Sequence, residues 1–273
     1  MEITPTLFAA IAILALVCEY MDASIGMGYG TTLTPLLLII GFWPLEVVPA
    51  VLLGQLAGGL IGGIAHYWVG NISLDFRQDE RLIKKKLRGL GYLPRSLDAK
   101  VIYVLVICGI IGALVGVFSA INIPKVILQT YIGVMVLGIG IVILIRQRQK
   151  VAFSWKGLIG VGLLSSFNKG ISGGGYGPLV TGGQLISGRE AKSSIGSTTL
   201  AEAIVCIVGF LTYVLVKGDI FWMLAAATSI GSIVAAPFAA ITVKRANMEK
   251  LRLVIGGATI ILGALTLAKT FVF

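Results

Sequence analysis

The stretch GISGGGYGPL, residues 170–179, holds five glycines in ten positions, within a chain that otherwise consists of long hydrophobic segments. Glycine weakens a helix interior, and lipid offers no hydrogen-bond partners to a broken backbone. Irregular backbone is tolerated inside a membrane only where protein or a water-filled cavity satisfies its N–H and C=O groups. The stretch therefore predicts a helix break with a purpose, inside an integral membrane protein.

The composition identifies lipid as the solvent of this chain. Of 273 residues, 57% are hydrophobic and 12% are charged, and runs such as VIYVLVICGIIGALVGVFSA, residues 101–120, are apolar on all sides. A soluble amphipathic helix or strand would show a period of 3.6 or 2. We therefore predict an all-α integral membrane protein that crosses the bilayer several times.

About ten hydrophobic segments can be drawn along the chain. They cover residues 5–22, 24–41, 44–69, 100–120, 124–145, 153–169, 171–187, 190–217, 220–243 and 250–272. The region 5–41 fits either two full crossings or one re-entrant hairpin. Both arrangements return the chain to the side of the membrane on which it started, so the positions of the loops do not distinguish them.

The net charge of +10 does not indicate nucleic-acid binding, because most of the 22 Lys and Arg residues lie in three polar segments. These segments are 77–100, 146–156 and 244–252. Basic loops that flank membrane spans mark the cytoplasmic side. Even numbers of spans separate the three loops, so we expect all three in the cytoplasm and both termini outside. The expected location is the inner cell membrane, with lipid as a partner and no nucleic acid.

The chain repeats itself at a shift of 147 residues. This shift places Gly26, Gly28, Tyr29 and Gly30 on Gly173, Gly175, Tyr176 and Gly177 without a gap. Five segments precede a second set of five, and an odd repeat reverses its orientation in the membrane. We predict two inverted-topology repeats with glycine-rich helix breaks, residues 1–147 (with a cytoplasmic loop at 70–99) and 148–273. Chance matches in a glycine-rich chain are the alternative.

The glycine breaks are the candidate substrate site. Inverted-repeat transporters bind substrate near the midplane, where broken helices end between the halves. Two helix N-termini would converge there and offer N–H groups and partial positive charge to a small oxyanion. The candidate binding residues are Gly28, Tyr29, Gly30, Thr31, Asn168, Lys169, Gly175, Tyr176 and Gly177. A close helix crossing without a ligand is the alternative.

Ionisable side chains inside the hydrophobic segments are few, and each is costly in lipid. Asp22 and Lys169 occupy equivalent positions, just before the two glycine clusters. Lys169 is the candidate contact for the substrate's negative charge, with Asp22 as its partner when the site is empty. A structural ion pair, or two charges that reach opposite interfaces, is the alternative.

A polar stripe follows in the second half. Ser194, Thr198 and Glu202 are spaced four residues apart and share one helix face, and Gln55 is the repeat equivalent of Glu202. Glu202 is the candidate proton carrier, because a desolvated carboxylate takes up a proton readily; a structural buried acid is the alternative. His66 lies near the face of Gln55, and both an interfacial hydrogen bond and a proton relay stay open.

Sequence motifs of metalloenzymes and of ATP-driven pumps are absent. The chain has no HExxH or P-loop motif, its GxSxG pattern at residues 170–174 belongs to the glycine cluster, and its three cysteines stand singly in apolar runs. We therefore expect no catalytic residue, no metal and no cofactor, and no self-contained primary pump.

Taken together, the motifs resemble the TauE/SafE family of membrane transporters, the sulfite exporter or sulfonate permease type. The family signature G-x-G-G-G with a following proline reads here as Gly26 to Gly30 and Pro35. The stretches AHYWVGNISL, 65–74, and GSTTLAEAI, 196–204, are similar to two further motifs of the family. Tyr29 and Tyr176 stand where the family commonly has glycine.

The resemblance implies a secondary transporter of a small sulfur-containing anion, sulfite or an organosulfonate, that works by alternating access. From the polar stripe we expect proton coupling. A transporter of another small anion, or an anion channel, is the alternative. The sequence leaves open the direction of transport, sodium in place of protons, and a monomer or a homo-oligomer.

Overall fold

The computed structural model describes residues 3–78, 92–145, 153–243 and 248–272. Within these ranges the protein has ten helices and one short antiparallel ribbon. The helices are α1 Pro5–Ile25, α2 Tyr29–Ile40, α3 Pro44–Trp68, α4 Leu97–Asn122, α5 Lys125–Ile145, α6 Trp155–Ser172, α7 Tyr176–Ile186, α8 Ala191–Lys217, α9 Trp222–Thr242 and α10 Met248–Val272. The ribbon pairs β1 Phe76–Gln78 with β2 Tyr92–Pro94, Phe76 opposite Pro94. The predicted all-α class is confirmed, with this ribbon as an addition.

Six of the described helices are long and apolar enough to cross a membrane: α1, α3, α4, α5 as far as Val142, α8 and α9. The helices α2 and α7 differ from these, since they have only 12 and 11 residues. At 1.5 Å per residue they are about 18 and 17 Å long, well short of a hydrocarbon core of about 30 Å. The protein is therefore a multi-pass membrane protein that contains two half-length helices.

Both breaks are set by glycines with positive φ. Helix α1 ends at Gly26 (φ 79°) and α6 ends at Gly173 (φ 73°), and the next helices begin after Gly28 (φ 140°) and Gly175 (φ 81°). Residues with a Cβ are strained in this region, whereas glycine is not. Similar local sequence thus produces the same helix, break and short helix twice.

The long helices pair across the two halves of the chain. Helix α1 packs along α9, and α6 packs along α4; likewise α3 packs along α9, and α8 along α4. Glycines permit these close approaches: a Cβ on Gly231 would overlap the carbonyl of Ala12, and one on Gly112 would lie 2.6 Å from the carbonyl oxygen of Leu163. Each half therefore buries its first helix against the fourth helix of the other half.

The two half-length helices lie in the interior. Tyr29, Leu33 and Leu37 of α2 belong to the larger buried hydrophobic cluster, and Tyr176 and Val180 of α7 belong to the second one. The long helices surround α2 and α7, so that their glycine-rich ends are held inside protein.

Candidate functional site

The two glycine breaks cross in the buried interior, backbone against backbone. A Cβ on Gly30 would overlap the carbonyl of Gly173, and a Cβ on Gly177 would lie 2.6 Å from the carbonyl oxygen of Gly26. Gly26 and Gly30 are the repeat equivalents of Gly173 and Gly177, so the two sides of the crossing make the same contact. Backbone atoms fill the gap between the two breaks, so the crossing itself leaves no room for a ligand.

Four buried hydroxyls on α2 and α7 have no hydrogen-bond partner within the described ranges: those of Thr31, Thr34, Tyr176 and Thr181. A buried hydroxyl without a partner costs about 1–3 kcal/mol. A helical threonine commonly donates to the carbonyl four residues before it, as Thr199 does to Ile195 at 3.0 Å. The hydrogen-bonding capacity of these four hydroxyls is therefore not used by any group in the described ranges.

Two of these hydroxyls obey the repeat. Thr34 and Thr181 are 147 residues apart, and each lies against the opposite break. Thr34 Oγ1 is 3.1 Å from the position of a Cβ on Gly173, and Thr181 Oγ1 is 2.5 Å from that of a Cβ on Gly26. Our sequence analysis missed both residues, although their equivalence at the 147-residue shift was a usable signal.

A chain of polar contacts links the residues that precede the two breaks. The Tyr29 N–H donates to Asp22 Oδ1 (3.1 Å), Gln55 Nε2 donates to Asp22 Oδ2 (2.9 Å), and Lys169 Nζ donates to Gln55 Oε1 (3.4 Å). Lys169 Nζ also lies 2.8 Å from Glu202 Oε1. All five residues are buried. The structure thus brings Asp22, Gln55, Lys169 and Glu202 into one cluster.

The ion partner of Lys169 is Glu202, whereas the sequence analysis expected Asp22. Asp22 accepts the Tyr29 N–H at the start of α2, where the partial positive charge of a helix N-terminus favours a carboxylate. Lys169, at the equivalent position, cannot cap α7, and the N-cap residue Gly175 provides no side chain. Helix α7 therefore has the N-terminus that is better prepared for an added anion.

Asn168 lies beside the start of α7. Its Oδ1 accepts a hydrogen bond from the Tyr131 hydroxyl of α5, and its Cβ is 3.1 Å from the position of a Cβ on Gly175. The sequence analysis named Asn168 but not Tyr131, which gave no signal because it lies in an apolar run of another segment.

The stripe Ser194, Thr198 and Glu202 is buried but does not serve a single site. Thr198 Oγ1 accepts from Gln184 Nε2 (2.9 Å) and donates to the Ser194 carbonyl (2.8 Å). The Ser194 hydroxyl has no partner in the described part of the chain. Of the three residues, Glu202 is the one that contacts Lys169.

His66 lies apart from the Lys169 cluster. Its Nε2 is 2.9 Å from the Ala23 carbonyl oxygen, and its Nδ1 is 2.9 Å from Asn71 Nδ2. The partners assign the proton to Nε2, which donates to Ala23, while Nδ1 accepts from the Asn71 amide. Asn71 also donates to the Ala240 carbonyl at 3.1 Å. The geometry favours the hydrogen-bonding role of His66, which ties α3 to α1 and α9.

A second ion pair was not predicted. Arg189, between α7 and α8, pairs with Asp98 of α4 and also hydrogen-bonds to Gln184 and Ser197. Asp98 accepts the Ser73 N–H at 2.9 Å. Burial lowers the pKa of the Arg189 guanidinium and the Asp98 carboxylate opposes that change, so Arg189 stays charged. The partners are 91 residues apart, which hides the pair in the sequence.

In the four described ranges, no group of three or more His, Cys, Asp or Glu residues is placed to hold a metal ion. Cys18, Cys108 and Cys206 are buried free thiols.

Comparisons with known proteins identify the family of the chain. A family model described as sulfite exporter TauE/SafE matches residues 87–266. The chain is also similar to a probable membrane transporter protein, YtnM, of Bacillus subtilis (strain 168), with 27% identity over 274 residues, which covers 96% of this chain and 83% of the relative. No solved structure gives a significant match.

Proposed function

Because the chain belongs to the sulfite exporter TauE/SafE family of membrane transporters, we propose that it transports a small sulfur-containing anion, sulfite or an organosulfonate, by alternating access. The family resemblance of the sequence motifs is thereby confirmed. One observation carries the proposal: the fully buried Lys169 forms an ion pair with Glu202 beside the glycine crossing. A buried cation that already holds an exchangeable carboxylate is suited to receive an anion.

The proposed coupling follows from charge balance. When an anion binds Lys169, Glu202 loses its counter-charge and would remain as a buried, unpaired carboxylate, at a cost of several kcal/mol. Uptake of a proton by Glu202 removes that charge. A monovalent anion, such as hydrogensulfite or a sulfonate, therefore enters the site together with the Glu202 proton, whose charge offsets that of the anion.

The remaining proposed binding groups come from the two breaks and the short helices that follow them. We assign the oxygen atoms of the anion to the Thr31, Thr34 and Thr181 hydroxyls and to the N–H groups that begin α7, with Asn168 and Tyr176 at its side. Sulfite and sulfonates present several equivalent oxygens on one sulfur, which suits a ring of hydroxyl and amide donors. Gly28, Gly30, Gly175 and Gly177 permit the breaks and hold them together.

Two inverted repeats, residues 1–147 and 148–273, are part of the proposal. Its support is the matched helix pairing, the paired breaks and the equivalent Thr34 and Thr181. We place the basic segments in the cytoplasm and both termini outside. Much of those segments, residues 79–91, 146–152 and 244–247, lies outside the described residues.

Uptake of radiolabelled sulfite into proteoliposomes tests the function, with and without an imposed pH gradient. We expect gradient-driven uptake by the wild type, loss of uptake in Lys169→Ala, and weaker gradient dependence with retained sulfite exchange in Glu202→Gln. Lys192→Ala is the matched control, because Lys192 is exposed. Normal uptake by Lys169→Ala would contradict the proposal.

Two further measurements complete the test. Removal of one partner of a buried pair destabilises a protein by about 3–5 kcal/mol, so the double variant Lys169→Met, Glu202→Gln checks that lost uptake reflects lost binding rather than unfolding. Exchange against substrate on the opposite side separates a carrier from a channel, because a channel shows no acceleration by trans substrate.

A further inference from the structure

Glu19 of α1 is a buried acid that the proposed cycle does not use. Its side chain has no exposed surface, and neither carboxyl oxygen has a hydrogen-bond partner within the described ranges. A buried carboxylate with no partner is far more costly than a neutral carboxylic acid. The surroundings of Glu19 therefore decide whether it carries a charge.

Glu19 shares a small space with Ser232 of α9. A Cβ on Gly58 of α3 would lie 2.9 Å from Glu19 Cδ and 2.7 Å from Ser232 Cβ, so both side chains meet beside this glycine. The Ser232 hydroxyl is buried and lies near the Tyr29 hydroxyl. The Tyr29 hydroxyl donates to the Thr228 carbonyl (3.3 Å), one helical turn before Ser232.

The charged groups around Glu19 do not neutralise a negative charge on its carboxyl group. Asp22, Lys169 and Glu202 are its charged neighbours. Lys169 is paired with Glu202 at 2.8 Å, and Asp22 is another acid. Three carboxyl groups thus surround one ammonium, and no second cation lies near them in the described residues. The other titratable neighbours, none of them a cation, are Cys18, Tyr29 and Cys206.

The acid has no counterpart in the second half of the chain. At a shift of 147, Glu19 corresponds to Ser166, whose hydroxyl donates to the Gly162 carbonyl at 2.7 Å. Gly58, which leaves room for the Glu19 carboxyl, corresponds to Val205. The Glu19 carboxyl group and the space that Gly58 leaves for it occur together in the first half only. This indicates that they are specific to that half and are not part of the repeated unit.

We propose that Glu19 is a second proton-binding site, formed with Ser232 and Tyr29, that holds a neutral carboxylic acid in this conformation and exchanges its proton during transport. The step is the binding of one proton to one carboxylate oxygen, with no other bond made or broken. A metal cation fits less well, since hard cations take about six oxygen ligands. The protonated state stands on the geometry alone, whereas the exchange rests on the proposed proton-coupled function.

Infrared difference spectroscopy of the full chain in lipid vesicles tests the protonated state without any substrate. A protonated carboxylic acid has a carbonyl stretch that carboxylates and amides lack. We expect this band at neutral pH in the wild type and its loss in Glu19→Gln. It should persist in Glu202→Gln and in the control Glu46→Gln, where glutamine can replace the carboxylate that accepts the Trp43 N–H at 2.8 Å.

Folding of the variant is part of the same test. Glutamine matches the size of a neutral glutamic acid, so we expect Glu19→Gln to give monodisperse protein with unchanged or higher thermal stability. A band that persists in Glu19→Gln, a wild type without the band, or a Glu19→Gln protein that does not fold would each overturn the proposal.

The exchange is tested by the ratio of protons to anions, taken from the pH gradient that balances a sulfite gradient in proteoliposomes. We expect Glu19→Gln to lower this ratio by one proton per anion and Glu46→Gln to leave it unchanged. An unchanged ratio in Glu19→Gln would overturn the exchange of the Glu19 proton. Absence of gradient-driven sulfite flux in the wild type would count against the proposed function, and the infrared band would still decide the state of Glu19.

Discussion

Asp22 and Lys169 occupy equivalent positions in the two halves but carry opposite charges, and this difference makes the candidate site asymmetric. Asp22 closes the N-terminus of α2, whereas Lys169 leaves the N-terminus of α7 open and holds Glu202 instead. A site with two acids or two bases in these positions would have either no cation for the substrate or no carboxylate to release. The proposed binding of an anion and a proton therefore depends on this asymmetry between two otherwise similar halves.

His66 provides a test at this scale. We expect His66→Gln to keep pH-gradient-driven sulfite uptake, because the ring joins helices and does not contact the Lys169 cluster. The variant should lose about 1–3 kcal/mol of unfolding free energy, since one of two buried partners is left unsatisfied. Uptake as a function of pH and thermal unfolding check this. Loss of gradient dependence in a folded His66→Gln protein would instead support the role of His66 as a proton relay.

The sequence allowed the charged members of the site to be named but not their pairing. Asp22, Lys169 and Glu202 stand out because charge in an apolar segment is costly. A repeat alignment matches equivalent positions, whereas ion pairs join neighbours in space, and this is why Asp22 was expected as the partner of Lys169. Glu19 and Thr34 became candidates only when the contacts of every surrounding helix showed that they lack partners.

At the scale of helices, the hydrophobicity of a segment does not predict the length of the helix that forms in it. The segments 24–41 and 171–187 are apolar enough to suggest spans, but the helices inside them have 12 and 11 residues. Their apolar side chains face protein, as the burial of Leu33 and Val180 shows. Hydropathy does not distinguish lipid from a protein interior, so the breaks were predictable from glycine and the short lengths were not.

The crossing of the two breaks predicts how glycine substitutions change the stability of the protein. We expect Gly30→Ala to destabilise the protein by about 1–3 kcal/mol or more, because the added Cβ overlaps the Gly173 carbonyl and backbone must move. Gly182→Ala, with no atom within 4 Å of the added Cβ, is the matched control and should gain up to about 1 kcal/mol from helix propensity. Thermal unfolding of both variants checks this, and equal stability would mean that the crossing does not need glycine.

The whole molecule is held together by helices exchanged between its halves. Helix α1 lies along α9 and α6 along α4, so each half completes the other. The sequence predicted two units in succession, and a boundary at residue 147 stays a prediction. The linear order of segments does not reveal which half supplies the partner of a helix, because hydrophobic faces in lipid are all alike.

Expression of the halves tests this interlocking. We expect segments 1–147 and 148–273 to be unstable when expressed alone, because α1 and α6 would lack the helices against which they pack. Co-expression should restore a stable complex that co-purifies through a tag on one half. The intact chain is the control, and a monodisperse, stable half on its own would contradict the expectation.

The crossing of the breaks is self-complementary: Gly30 meets Gly173, and the equivalent Gly177 meets Gly26. A contact of this isologous kind can be made by two identical segments that face each other. Under the proposed inverted repeat, one ancestral unit inserted into the membrane in both orientations would have possessed both sides of the crossing. The contact would then constrain its glycines as a pair, whereas residues away from it, such as Glu19 and Ser166, would be free to diverge into different roles.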